Sequence, residues 1–425
     1  MLAVPETLSL DAEDRAALAG ERGEAARLAM RILVRTAEAM GASELLDVSA
    51  AHIDGCLYHG RAGLDFAERL VEGGARVAVP TTLNVSSLDL LHPEIARLDG
   101  ETASAARALM DAYVVMGCRP TWTCAPYQLP VRPGLGEHVA WAESNAIVFA
   151  NSVLGARTGR YGDFIDVCCA ITGRAPAAGL HLDGERLARA VFRVEGVPDA
   201  LLRDDAAYAA IGHVVGRATG TTVPAIVGLP ATATEDQLKA LGAAAASSGS
   251  VAMFHAVGVT PEAPTLESAT GGSDPTLERT IDLASLRAAR DELSTVEVGA
   301  AVGSVSLGTP HCSAAELRHL AGLVEGRRLA VACYVNTGRH TLAEASNAAA
   351  TLHAAGVTIV TDTCTYVTPI IERAATPVVT NSGKWAWYAP GNLGFDVAFA
   401  TLEECVDSAE AGRLVRDLAA WGDDG

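Results

Sequence analysis

From residue 206 onward, stretches with apolar residues at helical spacing take turns with short, almost wholly apolar runs. Helices are expected over 206–218 and 235–245, and strands over 223–229 and 251–257. After a Gly, Pro and Ser-rich loop at 260–275, strands are expected over 296–307, 328–335, 357–362, 377–380 and 395–400, with helices over 314–324, 342–355 and 402–411 between them. Apolar runs without a polar face belong to strands covered on both sides, so the alternation predicts parallel sheets layered between helices. Upstream, residues 24–40 set Ala25, Leu28, Ala29, Ile32, Leu33, Ala37 and Met40 at helical spacing and stop at Gly41. Helices over 64–71, 102–116 and 163–171 accompany the apolar runs 45–48 and 76–79. The expected fold is α/β, with three domains over 1–195, 196–275 and 276–425 whose parallel or mixed sheets surround a central cleft.

A chain of 425 residues, 49% hydrophobic and with mean hydropathy +0.22, can bury a large core. Its net charge of −19 argues against nucleic acid or an acidic membrane surface as partner, because both demand a basic footprint. No run reaches the ~20 apolar residues of a membrane span. The stretch MLAVPETLSLDAEDRAALAGERG has no basic region followed by an apolar one, so no signal peptide is expected and a cytoplasmic location follows. In a reducing compartment nine cysteines serve as buried hydrophobes or ligands rather than as disulfides.

Residues 123–160 hold the densest chemistry. A cysteine in a Pro-rich loop is followed by His138, Glu143, Ser144, Asn145, Asn151 and Ser152, all set among apolar residues in one expected helix. Buried amides and carboxylates without partners cost about 1–3 kcal/mol each, so these must line a polar cavity or hold one another. Loops are expected at strand ends for TTLN (81–84), TCAPY (123–127), GTPHCS (308–313), TDTC (361–364) and NSGKWAWYAPG (381–391). No G-x-G-x-x-G opens a helix, SGKW lacks the upstream glycine of a phosphate loop, and H-E-x-x-H is absent. Cys124, Cys312 and Cys364 each stand at an expected strand end, and thiolates drawn from separate loops are a common way to hold an iron–sulfur cluster.

The segments SAAHIDGCLYHG, GARVAVPTTLN, TCAPY, GEHVAWAESNAIVFANSVLGART, AITGRAP, GTPHCS, TDTC and NSGKWAWYAPG closely resemble the catalytic large component of the aconitase X family, over nearly the whole chain. The resemblance implies a hydro-lyase: bacterial members dehydrate cis-3-hydroxy-L-proline and archaeal ones 5-phosphomevalonate. It implies an iron–sulfur centre on three cysteines, here Cys124, Cys312 and Cys364. It also implies a small swivelling domain, fused or separate, whose serine acts as base. Nothing in the chain resembles that domain, so a second subunit, and hence a heterodimer, is expected.

Many members carry cysteine where this chain has Thr309. Either Cys312 substitutes or the third ligand is Cys56, Cys118, Cys168 or Cys169, and the centre is 2Fe-2S, 4Fe-4S or mononuclear iron. His52, His138 and His311 are candidates to protonate the departing oxygen, because imidazole exchanges protons near neutral pH. Lys384 and Arg157 are the expected carboxylate anchors, with a structural pair to Glu143 or Asp163 as the competing role for Arg157. Thr82, Asn84, Ser144 and Ser382 would supply neutral hydrogen bonds, and Glu143 or Asn151 would face a ring amine. A phosphate would need several cations, whereas these motifs offer chiefly Arg157, Arg160 and Lys384. The expected reaction is therefore dehydration of cis-3-hydroxy-L-proline to Δ1-pyrroline-2-carboxylate. The alternatives are the 5-phosphomevalonate reaction and a scaffold that has lost the cluster.

Overall fold

A computed structural model describes residues 8–422; the first seven residues of the stretch read for a signal peptide lie outside it. The chain folds as two compact units, one of Met1–Leu88 with Leu98–Arg186 and another of Asp89–Arg97 with Leu187–Gly425. No helix among the described residues is long and apolar enough to cross a membrane.

The first unit is built on a three-stranded parallel sheet in the order Thr81–Leu83, Ala51–Ile53, Ala140–Trp141. A separate antiparallel pair joins Leu45–Asp47 to Arg174–Pro176. Helix Glu24–Met40 runs between the residues expected, ended by Gly41 at φ 68°, and its Met30, Val34 and Ala37 pack with Leu8, Leu10 and Leu45. The strand expected over 76–79 is not formed. Val77 N–H instead bonds the Met116 carbonyl and Ala78 N–H that of Ala170, both at helix ends, and the β-branched Thr81 and Thr82 begin the strand a few residues later. TTLN is thus largely strand rather than loop. The single helix expected from His138 to Ser152 is also corrected. After strand Ala140–Trp141, Glu143 turns extended (φ −65°, ψ 131°) and caps helix Ser144–Phe149, which widens into a π turn, Ala150–Leu154, closed by Gly155.

The second unit holds two parallel sheets. The smaller has the order His255–Ala256, Pro224–Val227, Ala190–Val194, Leu277–Ile281. Its helices Asp205–Thr219 and Glu235–Gly249 touch through glycines, since a Cβ on Gly212 would overlap the Leu241 backbone. The larger sheet has the order Val357–Val360, Ala332–Thr337, Ser304–Cys312, Val378–Thr380, Val397–Phe399. In chain order this is 3-2-1-4-5, so connections leave in opposite directions on either side of the gap between Ser304–Cys312 and Val378–Thr380. A crevice opens at such a reversal, beyond the carboxyl ends of the strands.

Two expected loops meet that gap in other forms. GTPHCS completes strand Ser304–Cys312, whose register shifts between Leu307 and Cys312, and NSGKWAWYAPG becomes helix Gly383–Asn392. The helix expected over 342–355 is broken at Ala345 into Arg339–Glu344 and Ser346–Ala354.

Candidate active site

In the first unit the carboxyl ends of the parallel strands carry a set of polar side chains. The ladder pairs His52 with Thr82 on one side and Trp141 on the other. Side chains two residues apart share a face, so the same register one step on sets Asp54 between Asn84 and Glu143, on the face of His52, Thr82 and Trp141. The His52 and Trp141 rings are 5.9 Å apart, and the Asn84 amide nitrogen donates to Asp54. Residues 119–123 flank the outer strand, with Thr123 N–H bonded to Leu83 O at 3.1 Å, which brings Cys124 to the same end.

Each group there has a definite state. His52 is fully buried with Nδ1 2.8 Å from Thr82 Oγ1. Desolvation drives its pKa down to about 3 against a small opposing effect of the Thr123 backbone, so it is neutral at physiological pH. Glu143 accepts from Ala146 N–H (2.7 Å), Ser144 Oγ (3.2 Å) and the Asn145 amide. Asn145 in turn donates to the Cys124 carbonyl (3.0 Å) and receives the Tyr127 hydroxyl (2.6 Å), with Tyr127 stacked on Phe149. Asp54 donates its N–H to Asp166 (2.7 Å), and burial, then Glu143, Asp163 and Asp166, push its carboxyl up to about 8. Asp54 stands out in the sequence only as one of several function-capable groups in SAAHIDGCLYHG, because its neighbours are set by strand register, and Tyr127 is given no role there.

His138, Asn151 and Arg157 are not brought to this set. His138 sits at the amino end of strand Ala140–Trp141, up to about 16 Å of extended chain from Glu143. Its Nδ1 lies 2.9 Å from His181 Nδ1, and Tyr161 bonds His181 Nε2. Burial raises the Tyr161 pKa, so its hydroxyl keeps its proton. Arg157 donates to His181 O (3.0 Å) and pairs with Asp183, rather than with Glu143 or Asp163. Asn151 holds both backbone groups of Thr158 at 3.0 Å and receives Arg186 at 3.1 Å. These three residues therefore tie the π turn and its neighbours together.

The second unit presents its own set at the sheet reversal. Thr309, Asn381, Ser382, Lys384, Lys239 and Glu316 line one cavity. Ser382 caps helix Gly383–Asn392 through Trp385 N–H (3.0 Å) and donates to the Thr309 carbonyl across the gap. Lys384 follows in the first turn, where the helix dipole disfavours a cation unless an anion is near. Thr309 Oγ1 is buried without a hydrogen-bond partner among the described residues. His311 is fully buried, with Nε2 3.0 Å from the Thr363 carbonyl and its pKa lowered to about 4, mainly by burial. Its Nε2 proton is thus held by TDTC. That segment is fixed elsewhere by Arg339 gripping Asp362 with two 2.6 Å bonds and by Thr365, whose N–H meets Asn336 at 2.9 Å.

The thiols differ in setting. Cys364 is buried in a loop whose turn is closed by Val367 and Thr368 N–H on its carbonyl, both at 3.1 Å. Cys312 instead packs among Leu307, Leu317 and Val335, and burial followed by Glu316 pushes its pKa up. Cys56 donates to the Asn84 carbonyl at 3.2 Å, while Cys118, Cys168 and Cys169 are buried with raised pKa values. Among the described residues no three His, Cys, Asp or Glu side chains gather so as to hold a metal ion. Within the second unit Cys312 is taken up by core packing.

Comparison with known proteins bears on both units. Family models described as Aconitase X first, second and third domain match residues 7–184, 188–291 and 302–411. The chain is 48% identical over 419 residues to cis-3-hydroxy-L-proline dehydratase of Pseudomonas aeruginosa, covering 97% of this chain and 72% of that protein. It is 36% identical over 407 residues to the phosphomevalonate dehydratase large subunit of Methanosarcina mazei, covering 95% of this chain and 98% of the relative. The crystal structure of Thermococcus kodakaraensis aconitase X in its holo-form superposes with a TM-score of 0.84 at 32% identity, covering 95% of this chain and all of that one.

Proposed function

Since the chain belongs to the aconitase X family, we propose that this hydro-lyase dehydrates cis-3-hydroxy-L-proline. The C2 proton and the C3 hydroxyl leave as water, and the resulting 2,3-dehydroproline tautomerises to Δ1-pyrroline-2-carboxylate. The observation that carries the reading is the greater likeness to the P. aeruginosa dehydratase than to the M. mazei subunit. Lys384, at a helix N-terminus beside Thr309, is the anchor for the substrate carboxylate. His52, Asn84 and Asp54 form the polar face offered by the first unit. In this reading His138 and Arg157 serve positioning rather than chemistry.

A small partner subunit supplying a serine base is part of the proposal. It is supported by the name of the M. mazei relative, a large subunit. An iron–sulfur centre, 2Fe-2S or 4Fe-4S, or mononuclear iron, is proposed from family membership, with Cys124 and Cys364 as ligands carried over by resemblance. Iron and sulfide content of anaerobically prepared protein tests that part. A cytoplasmic location is proposed with it. The 5-phosphomevalonate reaction is the second reading, favoured by the end-to-end match to the M. mazei subunit.

The reading is tested by combining the chain with its small subunit and following loss of cis-3-hydroxy-L-proline and of its trans epimer, with turnover of the cis form alone expected. Lys384→Met should lower kcat/KM roughly 10–100-fold, mostly through KM, as expected for one charge-assisted bond of about 1.5–3 kcal/mol. An unchanged KM in steady-state assays would remove Lys384 from the substrate.

A further inference from the structure

Asp54, at the end of the three-stranded sheet, lies among other carboxylates. Asp54 is half-buried, and the charges acting on it most strongly are those of Glu143, Asp163 and Asp166. Glu143 is engaged as a helix cap, and Asp166 receives the N–H groups of Asp54 and Val167, both at 2.7 Å. Asp54 by contrast receives one side-chain donor among the described residues, the Asn84 amide nitrogen, so its second oxygen is open.

Asn84 supplies an independent sign of a ligand. It is 3% exposed, and its Oδ1 has no hydrogen-bond partner among the described residues. The amide nitrogen already lies on Asp54, so covalent geometry opens Oδ1 beside the same carboxyl. A buried amide oxygen left unsatisfied is costly, and so is a carboxylate among carboxylates. One ligand group relieves both: a secondary ammonium brings two N–H donors and a positive charge, which returns the raised Asp54 carboxyl to its ionised form. A phosphate or a hydroxyl brings no such charge, and a phosphate would be repelled.

We infer that Asp54, together with the open Oδ1 of Asn84, binds the ring ammonium of the substrate and selects a cyclic amino acid over an acid without an amine. The inference deepens the proposed function and rests on it. It displaces Glu143 and Asn151 from the amine-facing role expected from the sequence, because the oxygens of both are engaged by the protein.

The test uses the two-chain enzyme as wild type, Asp54→Asn and Asp54→Glu. Steady-state kcat/KM is compared for cis-3-hydroxy-L-proline and for cis-2-hydroxycyclopentane-1-carboxylate, the carbocycle lacking only the amine. Calorimetry compares binding of L-proline and cyclopentanecarboxylate. The wild type should prefer the amine in both comparisons, and Asp54→Asn should erase that preference by weakening the amine-bearing compounds roughly 30-fold or more, leaving the carbocycles nearly unchanged. Asp54→Glu, which keeps the charge, should recover part of it. Equal losses for both classes, or a preference that survives Asp54→Asn, would overturn the inference. If the wild type fails to turn over cis-3-hydroxy-L-proline while L-proline binding still depends on Asp54, the proposed reaction falls and the ammonium site stands. Failure of either ligand to bind the wild type would end both.

Discussion

Gly308→Ala is expected to lower stability by roughly 2–5 kcal/mol and to abolish turnover at temperatures where the wild type works. Gly308 has φ +80°, in the left-handed region that a side chain disfavours. A Cβ there would overlap the Asn336 carbonyl and stand 2.9 Å from Cys312 Sγ, neither of which is a flexible side-chain end. Asn336 cannot retreat easily, since its side-chain Nδ2 donates to Leu307 O at 2.6 Å and its side-chain Oδ1 receives Thr365 N–H at 2.9 Å. The same clash that unsettles the strand thus reaches the residue after Cys364. Urea unfolding should show a lower midpoint at unchanged slope. Gly391→Ala, where no atom lies within 4 Å of the added Cβ, is the control and should be neutral or slightly stabilising.

Lys239→Met should lose roughly 3–5 kcal/mol, because breaking a buried ion cluster by removing one partner leaves uncompensated charge. Lys239 is 4% exposed, and its ammonium meets Asp236 at 2.9 Å, Glu316 more closely, and the His311 carbonyl at 3.4 Å. The same carboxylates hold Ser313, through Oγ on Asp236 (2.7 Å) and N–H on Glu316 (2.6 Å), so the cluster pins the end of strand Ser304–Cys312. The loss should also depend on pH. Burial raises the Glu316 pKa above its unfolded value, against the pull of Lys239, and removing Lys239 raises it further. A raised carboxyl pKa means that stability is greatest below the unfolded pKa of about 4.5 and falls as pH rises through the folded one. The deficit of Lys239→Met should therefore be larger at pH 8 than at pH 5, and Lys239→Met with Glu316→Gln should recover part of it. Urea midpoints at the two pH values measure this; a deficit independent of pH would mean that packing, not charge, is what Lys239 supplies.

Where local signals end an element, the sequence was enough. Helices Ala314–Val324 and Leu402–Ala411 fall on the expected residues because Ser313 with Glu316 and Thr401 with Glu404 form capping boxes, and Gly412 closes the second in the left-handed region. Strand Leu277–Ile281 escaped because it is an edge, with Glu278, Arg279 and Thr280 exposed, and so has no apolar run. Helix Gly383–Asn392 was hidden by its own Pro390 and Gly391, which usually mark loops. In the candidate site, Lys384, Thr309, His52 and Asn84 were legible as unusual residues at strand ends. Which of them face one another was not. The pairing of Asp54 with Asn84 spans 30 residues and depends on the register of two strands, while His138, five positions from Glu143, is carried to the opposite end by strand Ala140–Trp141. Spacing along the chain holds no record of that separation.

Action on a hydroxylated cyclic amino acid is tested by assaying the chain with its small subunit, prepared anaerobically, on cis-3-hydroxy-L-proline and 5-phosphomevalonate in parallel. Formation of Δ1-pyrroline-2-carboxylate, detected as its o-aminobenzaldehyde adduct, is expected, with no loss of 5-phosphomevalonate. Turnover of the phosphorylated compound alone would contradict it.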